Sequence, residues 1–266
     1  MKDLVTWFGF KRHPFDKGIK TSQAVDTGPL RECAARLDYI KRRQGILLLT
    51  GDPGVGKTIA LRRFVDGLNE TRYRSVYTPL TTLRGADLLR HLNQILGLPH
   101  RSGKSALFSQ IQRDILESHE QKGRTVVLII DEAHLLQVST LHELRLLTNF
   151  KMDSCDPFIL ILAGQSDLRR VMDYAIMEPF AQRLGMRFHM GPLAPDESAA
   201  YVRHHLQLAG EHEPIFADDA LRAVHENAFG IPRRIGALAE QALNYAMFAD
   251  KRTIDADMVL KAQAGQ

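Results

Sequence analysis

The stretch Gly51-Asp52-Pro53-Gly54-Val55-Gly56-Lys57-Thr58 follows the P-loop pattern G-x-x-x-x-G-K-[ST] and decides the fold of this chain. Residues 46–50 are mostly apolar and predict a short buried strand before the loop, and residues 59–68 predict a helix after it. Glycine lets the backbone wrap a phosphate group without a Cβ in the way. The main-chain N–H groups at the start of the helix then face the anion. The sequence therefore predicts a phosphate site between a strand and a helix.

Two side chains of this loop have distinct expected roles in binding a nucleotide. Lys57 is expected to reach the β- and γ-phosphates of ATP, and Thr58 is expected to hold Mg²⁺. The other residues expected to contact the nucleotide are Gly51, Asp52, Pro53, Gly54, Val55, Gly56 and Ile59. The alternative is a glycine turn that binds nothing, and the flanking strand and helix disfavour it.

A second motif follows the apolar run 126–130, which predicts a strand buried on both faces of a parallel sheet. Asp131 and Glu132 come directly after this run, at the end of the strand where α/β sheets bind ligands. Asp131 is the expected Walker-B acid, which orders Mg²⁺. Glu132 is placed to polarise the attacking water as a general base. Two solvated acids at a strand end are the alternative interpretation.

Composition limits the class of protein. The 266 residues, 44% of them hydrophobic, suffice for one large α/β core and a small accessory domain. Cys33 and Cys155 lie far apart, which predicts free thiols in a reducing cytoplasm rather than a disulfide framework or a zinc site. We expect no membrane span and no signal peptide. The net charge of +4 is compatible with nucleic acid but is weak evidence by itself.

Strands alternate with helices in the middle of the chain, which predicts an α/β fold with a parallel sheet flanked by helices. The expected strands are 46–50, 75–79, 125–131, 158–163 and 187–190. A capping box, Thr140 to Glu143, is expected to open the helix after the second motif. After a break at 191–195, only helices are expected, at 195–209, 217–228, 232–249 and 255–264. The predicted domains are an arm (1–20), a nucleotide-binding domain (21–192) and a small helical domain (193–266).

Several further segments resemble those of one family. They are Phe8-Gly9-Phe10 with Pro14-Phe15, the run Ile-Ile-Asp-Glu-Ala-His-Leu-Leu at 129–136, Leu144-Arg145-Leu146-Leu147-Thr148-Asn149-Phe150, Leu162-Ala163-Gly164-Gln165 and Gly230-Ile231-Pro232-Arg233. With the P-loop, they make the chain resemble an AAA+ ATPase over nearly its whole length. More narrowly, it resembles the transposition-helper ATPases of the TniB and MuB kind and their relative, the secretion ATPase ExeA. The resemblance implies a P-loop AAA+ sheet followed by a helical lid.

The resemblance also implies roles for three polar residues. Gln165 matches the sensor that AAA+ proteins place between the γ-phosphate and water, and a loop glutamine without this role is the alternative. Arg183 matches the segment that supplies an arginine finger to a neighbouring subunit. The alternatives are that Arg187 is the finger or that Arg183 is an ordinary surface arginine. Arg233 matches the lid arginine that couples lid closure to the nucleotide state, and the adjacent Arg234 is expected to be solvated.

Two parts of the chain keep open interpretations. The arm residues Trp7, Phe8 and Phe15 either flank the adenine or pack onto the core. By resemblance, loops after the second strand contact DNA, and the cations there are Arg84, Arg101 and Lys104. Such contacts would be made to phosphates, with little preference for sequence. The alternative is that these cations are simply solvated.

The expected function is an ATP-dependent, oligomerising helper ATPase that binds double-stranded DNA, selects a target and recruits a transposase. One alternative is an ExeA-like energy-coupling ATPase of secretion or assembly that does not bind DNA. Another is an ATP-binding scaffold whose hydrolysis is incidental. The Asp-Glu-Ala-His sequence at 131–134 also occurs in one helicase class. We reject that interpretation because the chain has room for one α/β lobe and carries a Gly-Ile-Pro-Arg lid motif.

Overall fold

Five parallel strands form one sheet in the computed structural model, which describes residues 3–16, 18–79, 83, 85–211 and 213–265. The strands are β1 (Gly45–Gly51), β2 (Tyr73–Thr78), β3 (Thr125–Ile130), β4 (Phe158–Gly164) and β5 (Leu184–Met190). Their order in the sheet is β2-β3-β4-β1-β5. The five predicted strands are confirmed, with small shifts at their ends.

The helices follow the predicted alternation. They are α1 (Leu4–Phe8), α2 (Gly28–Arg43), α3 (Lys57–Asp66), α4 (Gly85–Ile95), α5 (Lys104–Glu120), α6 (Val138–Leu147), α7 (Ser166–Met172), α8 (Glu178–Ala181), α9 (Pro195–Ala209), α10 (Asp218–Ala228), α11 (Pro232–Phe248) and α12 (Ala256–Ala264). In the part of the chain that the structure describes, none of the helices combines the length and the hydrophobicity that a membrane span requires.

The chain forms two compact units. One comprises Glu32–Pro53 and Ala60–Met190, and contains the sheet. In this unit β3 and β4 are buried along their full length, and β1 along all but its first residue, because their side chains are apolar on both faces. The edge strand β5 alternates exposed and less exposed residues over most of its length. Helices α4, α5 and α6 contribute leucine and isoleucine side chains to the core of the sheet.

The other unit comprises Met1–Arg31, Gly54–Ile59 and Gly191–Gln266, and its core is built on helices. Helix α9 begins at Pro195, which suits the first turn of a helix, and ends at Gly210 in the left-handed conformation, as predicted. Helix α12 is capped by Asp255, whose carboxylate accepts from the Met258 N–H at 2.9 Å.

The predicted capping box at Thr140 is wrong. Helix α6 begins two residues earlier, and the Gln137 carbonyl already accepts hydrogen bonds from the N–H groups of Thr140 and Leu141. Thr140 is therefore inside the helix and fully buried. Glu143 does not cap the helix either, since its carboxylate pairs with Lys104. Both cysteines are free thiols, as expected.

Candidate nucleotide site

The P-loop joins β1, which ends at Gly51, to α3, which begins at Lys57. Gly54 and Gly56 have φ angles of 90° and 113°, and residues other than glycine rarely adopt such a backbone conformation. The Lys57 side chain follows at the first turn of α3, where main-chain N–H groups have no partner within the helix. The positive φ angles and the helix start are features that anion-binding loops share.

Gly54 also makes a close approach to the Gly-Ile-Pro-Arg segment within the same compact unit. Its carbonyl accepts a hydrogen bond from the Arg233 N–H at 3.3 Å. A Cβ at Gly54 would lie 2.7 Å from Arg233 Cβ and 3.2 Å from Ile231 Cγ2. Arg233 itself is exposed. Two motifs that are far apart in the sequence are thus joined through their backbones.

The other P-loop residues differ in exposure. Lys57 and Val55 are buried, whereas Asp52, Pro53 and Thr58 are exposed and Ile59 is half-buried. Asp52 Oδ1 accepts a hydrogen bond of 3.1 Å from the hydroxyl of Ser166. Asp52 is therefore tied to the residue that follows Gln165.

Asp131 is held firmly at the carboxyl end of β3. It is buried, and its Oδ2 accepts from the Tyr77 hydroxyl at 3.0 Å while its Oδ1 accepts from the Glu132 N–H at 2.9 Å. Burial and then the negative charge of Asp131 raise the pKa of Tyr77 to about 12, so the phenol keeps its proton. Carboxylate and hydroxyl oxygens are the donors that Mg²⁺ prefers, so Asp131 and Thr58 have the chemistry of the expected ligands.

Glu132 has a different environment from its neighbour. Its backbone is left-handed, with φ 52° and ψ 31°, just before the 3-10 helix Ala133–Leu135. Its side chain is 49% exposed, and Oε2 lies 3.5 Å from Nδ1 of His134, whose side chain is only 10% exposed. A strained backbone at a position of this kind is typical of functional sites. The arrangement leaves one anchored carboxylate and one that solvent can reach.

Gln165 directly follows β4 and occupies the N-cap position of α7, where its side chain makes no capping hydrogen bond. Its main-chain N–H donates to Nδ1 of His134 over 3.4 Å. The residue before it is glycine for a steric reason, since a Cβ at Gly164 would lie 2.9 Å from the main-chain nitrogen of His134. The end of β4 is thus packed directly against the segment that follows Glu132.

The arginines proposed as fingers have different partners. Arg183 is half-buried, and its Nη1 donates to the Thr148 hydroxyl over 3.5 Å. Arg187 lies on β5 and forms an ion pair of 3.3 Å with Asp173.

Arg234, the neighbour of the lid arginine Arg233, is exposed, and its guanidinium lies 5.9 Å from the centre of the Phe229 ring.

The residues predicted to contact DNA differ in whether their charge is paired within the chain. Arg84 lies outside the described residues. Arg101 is exposed in the loop between α4 and α5. Lys104 is the first residue of α5, and its Nζ lies 2.5 Å from Oε1 of Glu143, whose side chain is 18% exposed. Lys104 is therefore partly neutralised in the structure.

The arm packs into the core of the helical unit. Leu4 and Phe10 are buried in that core. The Phe15 ring stacks on His205 with a centroid distance of 5.4 Å, and Nδ1 of His205 donates to the carbonyl of Pro14 at 3.0 Å. Burial lowers the pKa of His205, so this imidazole stays neutral. Of the two interpretations of the arm, packing is the one that these contacts support.

Three residues of this region were given no role in the site from the sequence, namely Tyr77, His134 and Gly164. Tyr77 comes close to Asp131 because β2 and β3 are neighbours in the sheet. His134 meets Gln165 because β3 pairs with β4. The Ala-Gly-Gln motif was a signal for Gly164, but the steric reason for glycine appears only in three dimensions.

Comparison with known proteins agrees with this architecture. Residues 40–172 match the AAA domain family AAA_22. General secretion pathway protein A of Aeromonas hydrophila is 34% identical over 241 residues, covering 89% of this chain and 44% of that protein. This chain thus spans less than half the length of the curated relatives it matches.

Solved structures share the fold at low sequence identity. The Aeropyrum pernix ORC2 protein has a TM-score of 0.68 at 16% identity, over 96% of this chain and 72% of that one. A chain of Drosophila ORC bound to DNA has a TM-score of 0.71 at 14% identity, and the match covers 99% of this chain and 66% of that one. With the P-loop, the parallel sheet and the family match in agreement, the chain belongs to the AAA domain family and is a P-loop ATPase of the AAA+ class.

Proposed function

We propose that this ATPase acts in the cytoplasm as a transposition helper. In this role it binds double-stranded DNA as an ATP-dependent oligomer, selects a target and recruits a transposase. The observation that carries the DNA part is the exposed Arg101, in the loop region where the resemblance expects DNA contacts. Lys104 follows at the start of α5 and is paired with Glu143. The likeness in fold to a chain of Drosophila ORC bound to DNA supports the same proposal.

The ATPase cycle is assigned to residues with distinct chemistry. Lys57 neutralises charge on the β- and γ-phosphates, and the P-loop N–H groups orient them. Thr58 and Asp131 would hold Mg²⁺, which would supply further positive charge beside the phosphates when bound. Glu132, with its exposed carboxylate, takes the proton of the attacking water. Gln165 positions that water.

Two arginines couple this chemistry to assembly and to the lid. Arg183 of one copy neutralises charge that develops on the γ-phosphoryl group bound by its neighbour. Arg233 reports the nucleotide state to the helical unit, and its backbone contact with Gly54 supports that role. ATP between neighbouring copies then builds an oligomer that aligns the cations of successive copies along one DNA.

A DNA titration at several salt concentrations tests the proposal. Binding should need a non-hydrolysable ATP analogue, show little sequence preference, and weaken steeply with salt. Replacing Arg101 and Lys104 together by alanine should lower the affinity and reduce the slope of log K against log salt by about 1 to 2. The matched control replaces Arg42 and Arg43, two exposed cations at the end of α2, and should keep the slope of the parent.

A second candidate function is energy coupling in secretion or assembly without DNA. The relative in the general secretion pathway, 34% identical over 89% of this chain, favours it. The same titration separates the two candidates. Equal binding with and without nucleotide, or no binding at low salt, would exclude the helper function and favour the second candidate.

A further inference from the structure

One nitrogen atom of His134 faces two partners that make opposite demands on it. Nδ1 lies 3.4 Å from the main-chain nitrogen of Gln165, which donates to it. The same atom lies 3.5 Å from Oε2 of Glu132. To accept from the N–H of Gln165, Nδ1 must carry no proton, whereas to bond the carboxylate of Glu132 it must carry one. His134 can therefore satisfy only one of the two partners at a time.

The residues around His134 hold its ring close to both partners. The His134 side chain is 10% exposed, so few positions of the ring are open to it. Gly164 lets β4 approach the backbone of His134 to a distance that a Cβ would not permit. Ser166, which follows Gln165, donates a hydrogen bond from its hydroxyl to Asp52 at 3.1 Å. The segment Gln165–Ser166 is thus connected by hydrogen bonds both to the P-loop sequence and to His134.

We propose that His134 is a positioning residue that couples the Gln165–Ser166 segment to the carboxylate of Glu132. When the N–H of Gln165 turns away from the ring, Nδ1 is free to take a proton and hold Glu132. This exchange of hydrogen bonds is a change of tautomer, in which Nδ1 gains a proton from water as Nε2 gives one up to water. This inference rests on the proposed role of Glu132 as the general base.

Two substitutions at the same position separate coupling from support of the fold. His134→Leu removes both hydrogen-bonding options, whereas His134→Asn retains an amide that can donate or accept near the position of Nδ1. For the full chain we expect His134→Leu to lower kcat for ATP about tenfold, part of the 10²–10⁴ that a general base contributes, with KM within about twofold. We expect His134→Asn to stay within about threefold of the parent. His119→Leu, at the end of α5, is the matched control and should match the parent.

A double-mutant cycle gives the decisive measurement. If His134 acts through Glu132, adding His134→Leu to Glu132→Gln should lower the residual single-turnover rate no further. Additive losses, a raised KM with unchanged kcat, or equal damage from leucine and asparagine would each overturn the coupling. A parent chain that releases no phosphate would contradict the ATPase site itself, whereas an active parent with an unaffected His134→Leu variant would contradict the coupling alone.

Discussion

Gly54 is a P-loop position where the structure restricts the residue type in two ways. Its φ of 90° is left-handed, and a Cβ there would lie 2.7 Å from Arg233 Cβ. Replacing Gly54 by alanine should therefore impose two separate costs. One is backbone strain, and the other is a steric clash with the Gly-Ile-Pro-Arg segment of the same compact unit.

The size of the effect follows from these two terms. A left-handed backbone costs a residue other than glycine about 1–2 kcal/mol. Overpacking against a neighbour that cannot move away costs typically about 1–3 kcal/mol more. The control is Gly9→Ala, because Gly9 lies in the same unit with a φ of 75° and has no atom within 4 Å of its would-be Cβ. The two variants should therefore differ by about 1–3 kcal/mol, or roughly 5- to 150-fold in an equilibrium constant.

Urea denaturation followed through Trp7 measures the difference. Trp7 is the single tryptophan of the chain and lies in the unit that contains both glycines. Binding of a fluorescent ATP analogue gives a second readout, and Gly54→Ala should bind it more weakly than Gly9→Ala. If both variants lose the same free energy of unfolding and both bind the analogue like the parent, the close approach of Gly54 to Arg233 is refuted.

Three other predictions follow from the site and the core. Lys57→Ala should lose ATP-analogue binding, whereas Glu132→Gln should keep it and lose phosphate release by roughly 10²–10⁴, and unchanged turnover would exclude Glu132 as the base. Arg183→Ala should bind ATP but hydrolyse it slowly, and mixing it with Lys57→Ala should restore some turnover, unless the site is not shared. Burial raises the pKa of Cys33 from 9.0 to about 12, so between these pH values the folded chain keeps a thiol proton that the unfolded chain loses. The free energy of unfolding should therefore fall as the pH rises from 9 to 12. At pH 8, mass spectrometry after iodoacetamide should show the half-buried Cys155 modified before Cys33.

The order of the secondary structure elements was predictable because local patterns encode burial. The apolar run before Asp131 predicts a strand covered on both faces, and β3 is buried at every position. The P-loop motif predicts a strand, a turn and a helix, and β1 and α3 lie there. The helical C-terminal part follows equally from periodicity and from its proline and glycine boundaries.

The capping box shows where local reasoning fails. Thr140 and Glu143 have the right spacing, but α6 begins at Val138, and Thr140 lies in the core. Burial of this helix against the sheet outweighs a cap of about 1 kcal/mol. Glu143 instead forms an ion pair with Lys104, which is 39 residues away in the sequence.

The sequence by itself determined the class of the protein and predicted the phosphate loop and the two carboxylates, because each is a short motif whose chemistry is local. Only the tertiary structure decided which side chains lie against this region. Tyr77 reaches Asp131 across 54 residues, and His134 meets Gln165 across 31, because the strand order places β3 between β2 and β4. Strand order depends on packing over the whole core, and no spacing within a motif records it.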